Sequence, residues 1–311
     1  MRYIRGGMRI VFLGTPEFTL PLLEACARAG DLVAVIAQPD RPAGRHAKLK
    51  APPAKIWAQQ QGIPVLQPEK VKQGRLAALL AEHRPDVAVV AAYGRILPPD
   101  ALRVPAQGCI NVHASLLPEL RGAAPAQWAV ARQYRETGVT LMQMDEGLDT
   151  GDIILQKKLA IAPDETGESL LAKLAPLGAE ALLEALPRLQ ELPRIPQDHS
   201  RATLAPLLSR EDGRADFSKS AFELDARRRG FTPWPGAWTT LSGQTLKIHL
   251  AQPLQTAHGR TPGEVLAALD VACGENTIWR LLEVQLEGKK RLSAGPFLAG
   301  LRPEAGFRLG T

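Results

Sequence analysis

The chain has 311 residues, of which 45% are hydrophobic and 23% are charged. This composition is typical of globular proteins and is too apolar for a disordered chain. Because the length exceeds that of one average domain, we expect two domains. The formal net charge of +6 is compatible with a polyanionic partner but does not establish one.

Cysteine spacing and hydropathy exclude several classes of protein. Cys26, Cys109 and Cys273 are widely spaced, and no histidine stands near them at metal-ligand spacing, so we predict neither a disulfide framework nor a metal site. No apolar run reaches the roughly 18 residues that a membrane helix needs, and the N-terminus lacks a signal-peptide core. We expect a cytoplasmic monomer with no membrane contact.

The first half alternates short β-branched runs with helical patterns, which predicts an α/β domain over 8–190. We expect a Rossmann-like, mostly parallel sheet with helices on both faces. Residues 1–7 precede a second methionine and are interpreted as a disordered extension or a mis-assigned start. Thr15 is the expected N-cap of the first helix. The predicted strands are 8–13, 32–37, 65–66, 87–92, 110–113, 138–144 and 153–161, and the predicted helices are 16–29, 53–61, 69–83, 124–132 and 168–188.

A proline-containing polar stretch at 191–207 lacks sustained periodicity and is the expected linker. Beyond it, a helix at 222–229 precedes alternating segments at 245–250 and 277–286 that indicate strands. We therefore predict that 208–311 forms a small β-barrel similar to the oligonucleotide-binding fold.

The first strand is followed by Gly14, which raises the question of a nucleotide site. The glycines of the dinucleotide fingerprint are missing after it, so NAD and FAD are rejected, and the chain contains no Gly-x-x-x-x-Gly-Lys-Ser/Thr loop. The predicted chemistry therefore needs neither metal nor nucleotide cofactor.

The stretch from Asn111 to Pro118 holds the richest candidate chemistry. Strand alternation puts Asn111 and His113 on one face, at the carboxyl end of a strand, and Asp149 lies in a loop that the strand order could bring alongside. An amide can stabilise the oxyanion of an acyl transfer, and an imidazole favoured in its charged form by a carboxylate can manage protons. Cys109 is the alternative nucleophile, although it fits better as a small buried residue.

Three motifs resemble the formyltransferases that use 10-formyltetrahydrofolate. They are Ala-Tyr-Gly-Arg-Ile-Leu-Pro at 92–98, Asn-x-His-x-Ser-Leu-Leu-Pro at 111–118 and Gly-Leu-Asp-Thr-Gly-Asp at 147–152. The resemblance implies that 10-formyltetrahydrofolate is the formyl donor and that Asn111, His113 and Asp149 are catalytic. It also implies a folate site, whose expected residues are Gly94, Ile96, Ser115, Leu116, Leu117 and Pro118.

The acceptor is indicated by features outside this core. Gly-Thr-Pro-Glu-Phe at 14–18, a basic loop after strand two and the appended domain with Pro-Trp-Pro at 233–235 resemble the family members that formylate methionyl-tRNA. The resemblance implies initiator methionyl-tRNA as partner, with the C-terminal domain also binding tRNA and Arg227 to Arg229 able to reach its backbone. The loop residues expected to contact tRNA are Arg41, Arg45, Lys48 and Lys50.

Two alternatives stay open. The first is an amino-sugar nucleotide formyltransferase that uses the same donor, because some of those enzymes also have a C-terminal domain with a Pro-Trp-Pro element. The basic loop argues against it. The second is a tRNA-binding protein without catalysis, which would be expected to have lost Asn111, His113 or Asp149, and all three are present.

Overall fold

The protein is described by a computed structural model that covers residues 7–43, 48–301 and 307–310. The expected N-terminal extension, apart from Gly7, lies outside these residues. The chain divides into two compact units. Unit 1 contains 1–125, 136–160 and 171–206, and unit 2 contains 126–135, 161–170 and 207–311.

A seven-stranded sheet forms the centre of unit 1. Its strands lie in the order β5 (Val65–Leu66), β2 (Asp31–Ile36), β1 (Arg9–Gly14), β6 (Val87–Ala91), β7 (Cys109–His113), β8 (Glu136–Gln143) and β9 (Ile153–Ala160). Strands β5, β2, β1, β6 and β7 are parallel, whereas β8 and β9 run antiparallel to their neighbours. The strand order reverses beside β1, and open α/β sheets bind ligands outside the carboxyl ends of strands at such points. In chain order the elements up to β9 are β1 (Arg9–Gly14), α1 (Leu20–Ala29), β2 (Asp31–Ile36), β3 (Arg41–Ala43), β4 (Lys48–Lys50), α2 (Pro53–Gln60), β5 (Val65–Leu66), α3 (Arg75–His83), β6 (Val87–Ala91), α4 (Pro99–Leu102), β7 (Cys109–His113), α5 (Pro125–Ala131), β8 (Glu136–Gln143) and β9 (Ile153–Ala160).

Helices cover both faces of the large sheet. On one face, Val11 and Leu13 of β1 pack in a cluster with Leu76 and Leu80 of α3. On the other, Gly178 lies so close to Val112 of β7 that a methyl group in its place would approach the valine at 3.1 Å. The alternation that buries Val112 on this second face directs Asn111 and His113 to the first.

The predicted elements of unit 1 occur, with two corrections at helix starts. Thr15 does not cap a helix, because its Oγ donates to the Tyr93 carbonyl (3.3 Å) and accepts from the Gln38 amide (3.3 Å). A 3₁₀ turn then precedes α1. The helix predicted over 69–83 begins only at Arg75, since Gly74 has φ +75°.

Unit 2 contains a five-stranded antiparallel sheet. Its strands lie in the order β10 (Ala237–Leu241), β11 (Gln244–Leu254), β13 (Thr277–Leu286) and β12 (Asp270–Cys273), with β14 (Leu292–Ser293) paired to β13. Its core contains Trp279 and Leu246, both fully buried. The fold class is confirmed as a mostly parallel α/β sheet joined to a smaller antiparallel β domain. The remaining elements are α6 (Gly167–Ala185), α7 (Ala221–Gly230), β10 (Ala237–Leu241), β11 (Gln244–Leu254), β12 (Asp270–Cys273), β13 (Thr277–Leu286), β14 (Leu292–Ser293) and α8 (Ala294–Leu301).

The residue ranges of the two compact units differ from those of the predicted domains. Unit 2 includes 126–135 and 161–170, which the sequence places inside the domain over 8–190. Much of the expected linker belongs to unit 1, where Ile195 pairs with Ile153, the first residue of β9, and Leu204 pairs with Arg121. The stretch 191–206 is therefore part of a folded unit.

Candidate active site

Asn111, His113 and Asp149 converge in unit 1. The Nδ1 atom of His113 lies 3.7 Å from Oδ2 of Asp149, and Nδ2 of Asn111 lies 3.4 Å from Oδ1 of the same carboxylate. His113 is only 5% exposed, so its interaction with the carboxylate is little weakened by solvent. The arrangement places an amide donor, an imidazole and a carboxylate within reach of one reacting group.

The imidazole of His113 is oriented by the main chain. Its Nε2 lies 2.9 Å from the carbonyl oxygen of Leu120. Because a carbonyl can only accept, Nε2 must hold a hydrogen whether the ring is neutral or charged. The other ring nitrogen, Nδ1, faces Asp149.

The carboxylate of Asp149 is held by the same short segment. The amide of Gly122 donates to Oδ2 of Asp149 at 2.8 Å. Gly122 has φ +121°, and a Cβ at this position would lie 2.6 Å from the carbonyl oxygen of Ala205. Glycine is therefore required here for both conformation and space.

The loop between β8 and β9 that contains Asp149 is closed by hydrogen bonds to the Asp145 carboxylate. This carboxylate accepts from the Gly147 amide (3.0 Å) and from the Thr150 hydroxyl (2.7 Å), an arrangement that replaces main-chain turn bonds. Asp149 itself has φ +51°, a left-handed conformation that Asp tolerates better than most residues. The loop is therefore held in one shape around an unusual backbone position.

A cavity of about 640 Å³ lies beside this loop. Its wall includes the apolar side chains of Ile96, Leu97 and Pro98, and Glu146 of the Asp149 loop contributes to its rim. Ile96 is 82% exposed, and the volume is in the range of pockets that hold cofactor-sized ligands. The complete lining is Lys72, Ile96, Leu97, Pro98, Pro99, Asp100, Arg103 and Glu146.

The other residues expected at the folate site occupy different surroundings. Gly94 is exposed with φ +79°. Ser115 is fully buried, and its hydroxyl donates to the Glu119 carbonyl at 2.7 Å. Leu117 and Pro118 are also buried, and Leu116 is half-buried. In this structure the segment from Ser115 to Pro118 packs within unit 1, and its contact with folate stays a prediction.

The basic loop after β2 contains a two-stranded antiparallel ribbon, β3 and β4, in which Arg41 pairs directly with Lys50. Residues opposite each other in such a pair share a face, and both of these cations are exposed. The backbone of Lys48 is in β4, but its side chain and all of Arg45 lie outside the described residues. A cationic face is therefore present on the described part of the ribbon.

The base of the ribbon is fixed to unit 1 through Asp40. Lys55 Nζ contacts both Asp40 oxygens at 2.8 and 2.9 Å, and Gln67 Nε2 donates to Oδ1 at 2.7 Å. The hydrogen bonds from Lys55 and then Gln67 hold the pKa of the Asp40 carboxyl below its usual value. The ribbon thus starts from an anchored position.

Comparison with known proteins identifies the family. The sequence pattern described as "Formyl transferase" matches residues 8–186, and that of "Formyl transferase, C-terminal domain" matches residues 207–302. The chain belongs to the formyl transferase family. The methionyl-tRNA formyltransferase of Myxococcus xanthus is 53% identical to it over 300 residues, which are 94% of this chain and 95% of that protein.

Two solved structures share the fold. HypX from Aquifex aeolicus in complex with tetrahydrofolic acid superimposes with a TM-score of 0.61 at 18% identity, over 96% of this chain and 48% of HypX. The sugar 3N-formyl transferase WlaRD gives a TM-score of 0.64 at 16% identity, over 91% of this chain and 99% of WlaRD. The chain therefore spans about half the length of HypX and nearly all of WlaRD.

The arginine triad before the Pro-Trp-Pro element in this family member is engaged within unit 2. Arg228 and Arg229 both pair with Asp225, at 2.8 and 3.0 Å. Arg227 donates to the Asp212 carbonyl at 3.0 Å and lies over the ring of Phe231. These three side chains therefore make contacts within unit 2, and their contact with a tRNA backbone stays a prediction.

The three cysteines are buried and form no disulfide. Burial raises the pKa of the Cys109 thiol to about 12, so the thiolate that a nucleophile needs is scarce at neutral pH. Within 7–43, 48–301 and 307–310, no cluster of His, Cys, Asp and Glu could hold a metal ion. The same part of the chain contains no helix long and apolar enough to cross a membrane.

The sequence does not indicate the groups that orient His113 and Asp149. The Leu120 carbonyl and the Gly122 amide are main-chain atoms, and any residue supplies such atoms, so no side chain signals their use. The glycine at 122 was the one available sign, because a glycine can mark close backbone approach. Asp145 could have been found from its position two residues before Gly147, a spacing typical of a turn closed by an Asp side chain.

Proposed function

We propose that this chain transfers the formyl group of 10-formyltetrahydrofolate to the α-amino group of initiator methionyl-tRNA. The products are N-formylmethionyl-tRNA and tetrahydrofolate. The observation that supports the reaction is the convergence of Asn111, His113 and Asp149, and the 53% identity to a methionyl-tRNA formyltransferase supports the acceptor.

The three side chains have separate roles in this proposal. Asn111 Nδ2 donates to the formyl oxygen as the amine attacks and the oxygen becomes negative. His113 exchanges a proton through Nδ1, the ring nitrogen that does not contact Leu120. Asp149 stabilises the charged imidazole and keeps the ring in place. One C–N bond forms at the acceptor while the C–N bond to folate breaks, and one proton passes from the amine to the folate nitrogen.

The donor fits the cavity beside the Asp149 loop. Its volume of about 640 Å³ and its wall of Ile96, Leu97 and Pro98 suit a ligand with flat apolar rings. The lining also includes Lys72 and Arg103, of which Arg103 pairs with Glu146 at 3.1 Å. We propose Lys72 as the cation that contacts a carboxylate of the ligand. We propose Gly94 and Ile96 as folate contacts, with the segment from Ser115 to Pro118 supporting the site from within. Bound folate supplies an activated formyl group.

The ribbon supplies the polyanion contact in this proposal. Arg41 and Lys50 lie on one exposed face, where phosphate contacts would bring the acceptor end towards unit 1. Arg45 and Lys48 are proposed to extend this face. We propose the C-terminal domain, 208–311, as a second tRNA contact, and the monomer as the form that acts in the cytoplasm.

The first experiment measures formyl transfer from 10-formyltetrahydrofolate to charged initiator methionyl-tRNA, an amino-sugar nucleotide and glycinamide ribonucleotide. We expect transfer to methionyl-tRNA alone. Transfer only to a small amine would retain the chemistry of Asn111, His113 and Asp149 but overturn the acceptor. Binding of tRNA without any transfer would identify a non-catalytic tRNA-binding protein.

A second experiment tests the ribbon. The double variant Arg41→Ala/Lys50→Ala should raise KM for tRNA and reduce the salt dependence of tRNA binding by about two counterions, because each lost phosphate contact lowers the slope by about one. The KM for the folate donor should not change. Lys158→Ala, which removes one exposed cation from β9, is the control. An equal effect per removed charge would mean that net charge, and not the ribbon, determines binding.

A further inference from the structure

Gln197 lies in the stretch that the sequence marks as a linker, yet it is one of the most completely bonded side chains of unit 1. It is 6% exposed. Its Nε2 donates to the carbonyl oxygens of Asp149 (2.9 Å) and Gly151 (2.7 Å). Its Oε1 accepts from Nε and Nη2 of Arg121, at 3.1 and 2.6 Å. Both donor hydrogens and the acceptor oxygen of the amide are thus used.

The neighbours of Gln197 connect it to the main-chain groups that orient the proposed catalytic residues. The Arg121 amide donates to the Thr203 carbonyl (2.8 Å), and the Ala205 amide donates to the Arg121 carbonyl (2.7 Å). Arg121 stands between Leu120, whose carbonyl contacts His113, and Gly122, whose amide contacts Asp149. The segment 197–205 is therefore bonded to the residue that separates the main-chain group contacting His113 from the one contacting Asp149.

We propose that Gln197 is a positioning residue that holds Asp149 at its working distance from His113. This inference rests on the proposed function of the site. Gln197 fixes the two carbonyls on either side of Thr150 while its other end is tied to Arg121, so the Asp149 loop and the 120–122 segment move as one piece. The left-handed backbone at Asp149, φ +51°, is a conformation that such outside restraint maintains.

The chemistry of the amide explains why glutamine is required. A glutamate at 197 would keep the acceptor for Arg121 but would face the Asp149 and Gly151 carbonyls with an oxygen that cannot donate. An alanine would remove both the amide donor and the amide oxygen, and it would leave the buried Arg121 without its main acceptor. Both changes release the loop, by different routes.

Kinetics of the full-length chain test the proposal. We expect Gln197→Glu and Gln197→Ala to lower kcat about 10- to 100-fold, because displacing a catalytic group by about 1 Å has an effect of this size. The KM values for folate and tRNA should change little. Arg201→Gln, an exposed change in the same segment, should keep the wild-type kcat. A wild-type kcat in Gln197→Glu would overturn the proposal.

A double-mutant cycle separates positioning from general destabilisation. In an Asp149→Asn background, where the carboxylate is already absent, adding Gln197→Ala should lower the remaining kcat by less than about twofold, since residues that act as a unit are not additive. An equal fold-loss in both backgrounds would mean that Gln197 does not act through Asp149.

Hydrogen exchange of the amides in 145–152 tests the same inference without substrate. We expect exchange in this segment to be at least about tenfold faster in Gln197→Glu than in the wild type, because the loop opens locally more often. Unchanged exchange would overturn the positioning role. If the wild-type protein formylates none of the acceptors, the proposed function fails, and the exchange measurement still decides whether Gln197 holds the loop.

Discussion

Replacing Asp149 by Asn tests the centre of the proposed site with almost no change in shape. The carboxylate lies 3.7 Å from His113 Nδ1, and at an effective dielectric constant of about 20 an ion pair at this distance is worth about 4 kcal/mol. Desolvation offsets part of this energy. Taking about 3 kcal/mol as the loss of transition-state stabilisation, we expect kcat to fall about 100-fold.

The assay is steady-state formylation of methionyl-tRNA, with kcat and KM measured by varying each substrate while the other is saturating. The KM values should stay within about twofold, because Asp149 acts on His113 and not on binding. Asn still offers an oxygen to the Gly122 amide, so the loss of charge at this bond should cost about 1 kcal/mol, or about 2–4 °C in Tm. A kcat within threefold of the wild type, in a folded variant, would refute the proposed role of the carboxylate.

Three further substitutions test the surroundings of the site. Gly122→Ala should lower Tm and kcat together, because Cβ would approach the Ala205 carbonyl at 2.6 Å in a left-handed backbone; unchanged thermal unfolding would contradict this. The lowered pKa of Asp40, caused first by the hydrogen bond from Lys55, means that the charged form stabilises the fold above the unfolded pKa, and that this stabilisation is lost as pH falls through the folded pKa. Below pH 3.8 the Tm of the wild type should therefore fall more steeply than that of Asp40→Asn, and parallel curves would count against the contact. Cys109→Ala should keep kcat within about twofold, because burial raises the thiol pKa to about 12; loss of turnover without loss of fold would restore Cys109 as a nucleophile.

Pattern reasoning works well where the fold directly decides the position of a side chain. Alternation along β7 is sufficient to place Asn111 and His113 on one face. The β-branched runs likewise predict the parallel core, because buried parallel strands are continuous apolar stretches. The predicted first residues of helices are less accurate. Thr15 has the chemistry of an N-cap, yet a tertiary contact with Tyr93 uses its hydroxyl instead.

The ribbon shows where local signals are too short. Prolines and glycines correctly indicate that the described residues of this loop, 40–43 and 48–52, are not helical, but β3 and β4 have only three residues each. Alternation over three residues cannot be told from a loop. What defines the ribbon's starting point is the Asp40 contact with Lys55, which lies fifteen residues further along the chain. No local pattern predicts that contact.

Because β8 runs antiparallel to β7, the Asp149 loop needs supporting hydrogen bonds that no local sequence pattern predicts. Gln143, at the end of β8, pairs with Ile110, whereas His113 lies three residues further along β7, about 10 Å away along the strand. The loop that leaves β8 must therefore travel back along the face of the sheet before Asp149 can meet His113. A segment on such a path has no neighbouring strand to pair with. Its carbonyl oxygens therefore need hydrogen-bond donors from elsewhere in the chain. Gln197 supplies two of them from a part of the chain that composition alone marks as a connector.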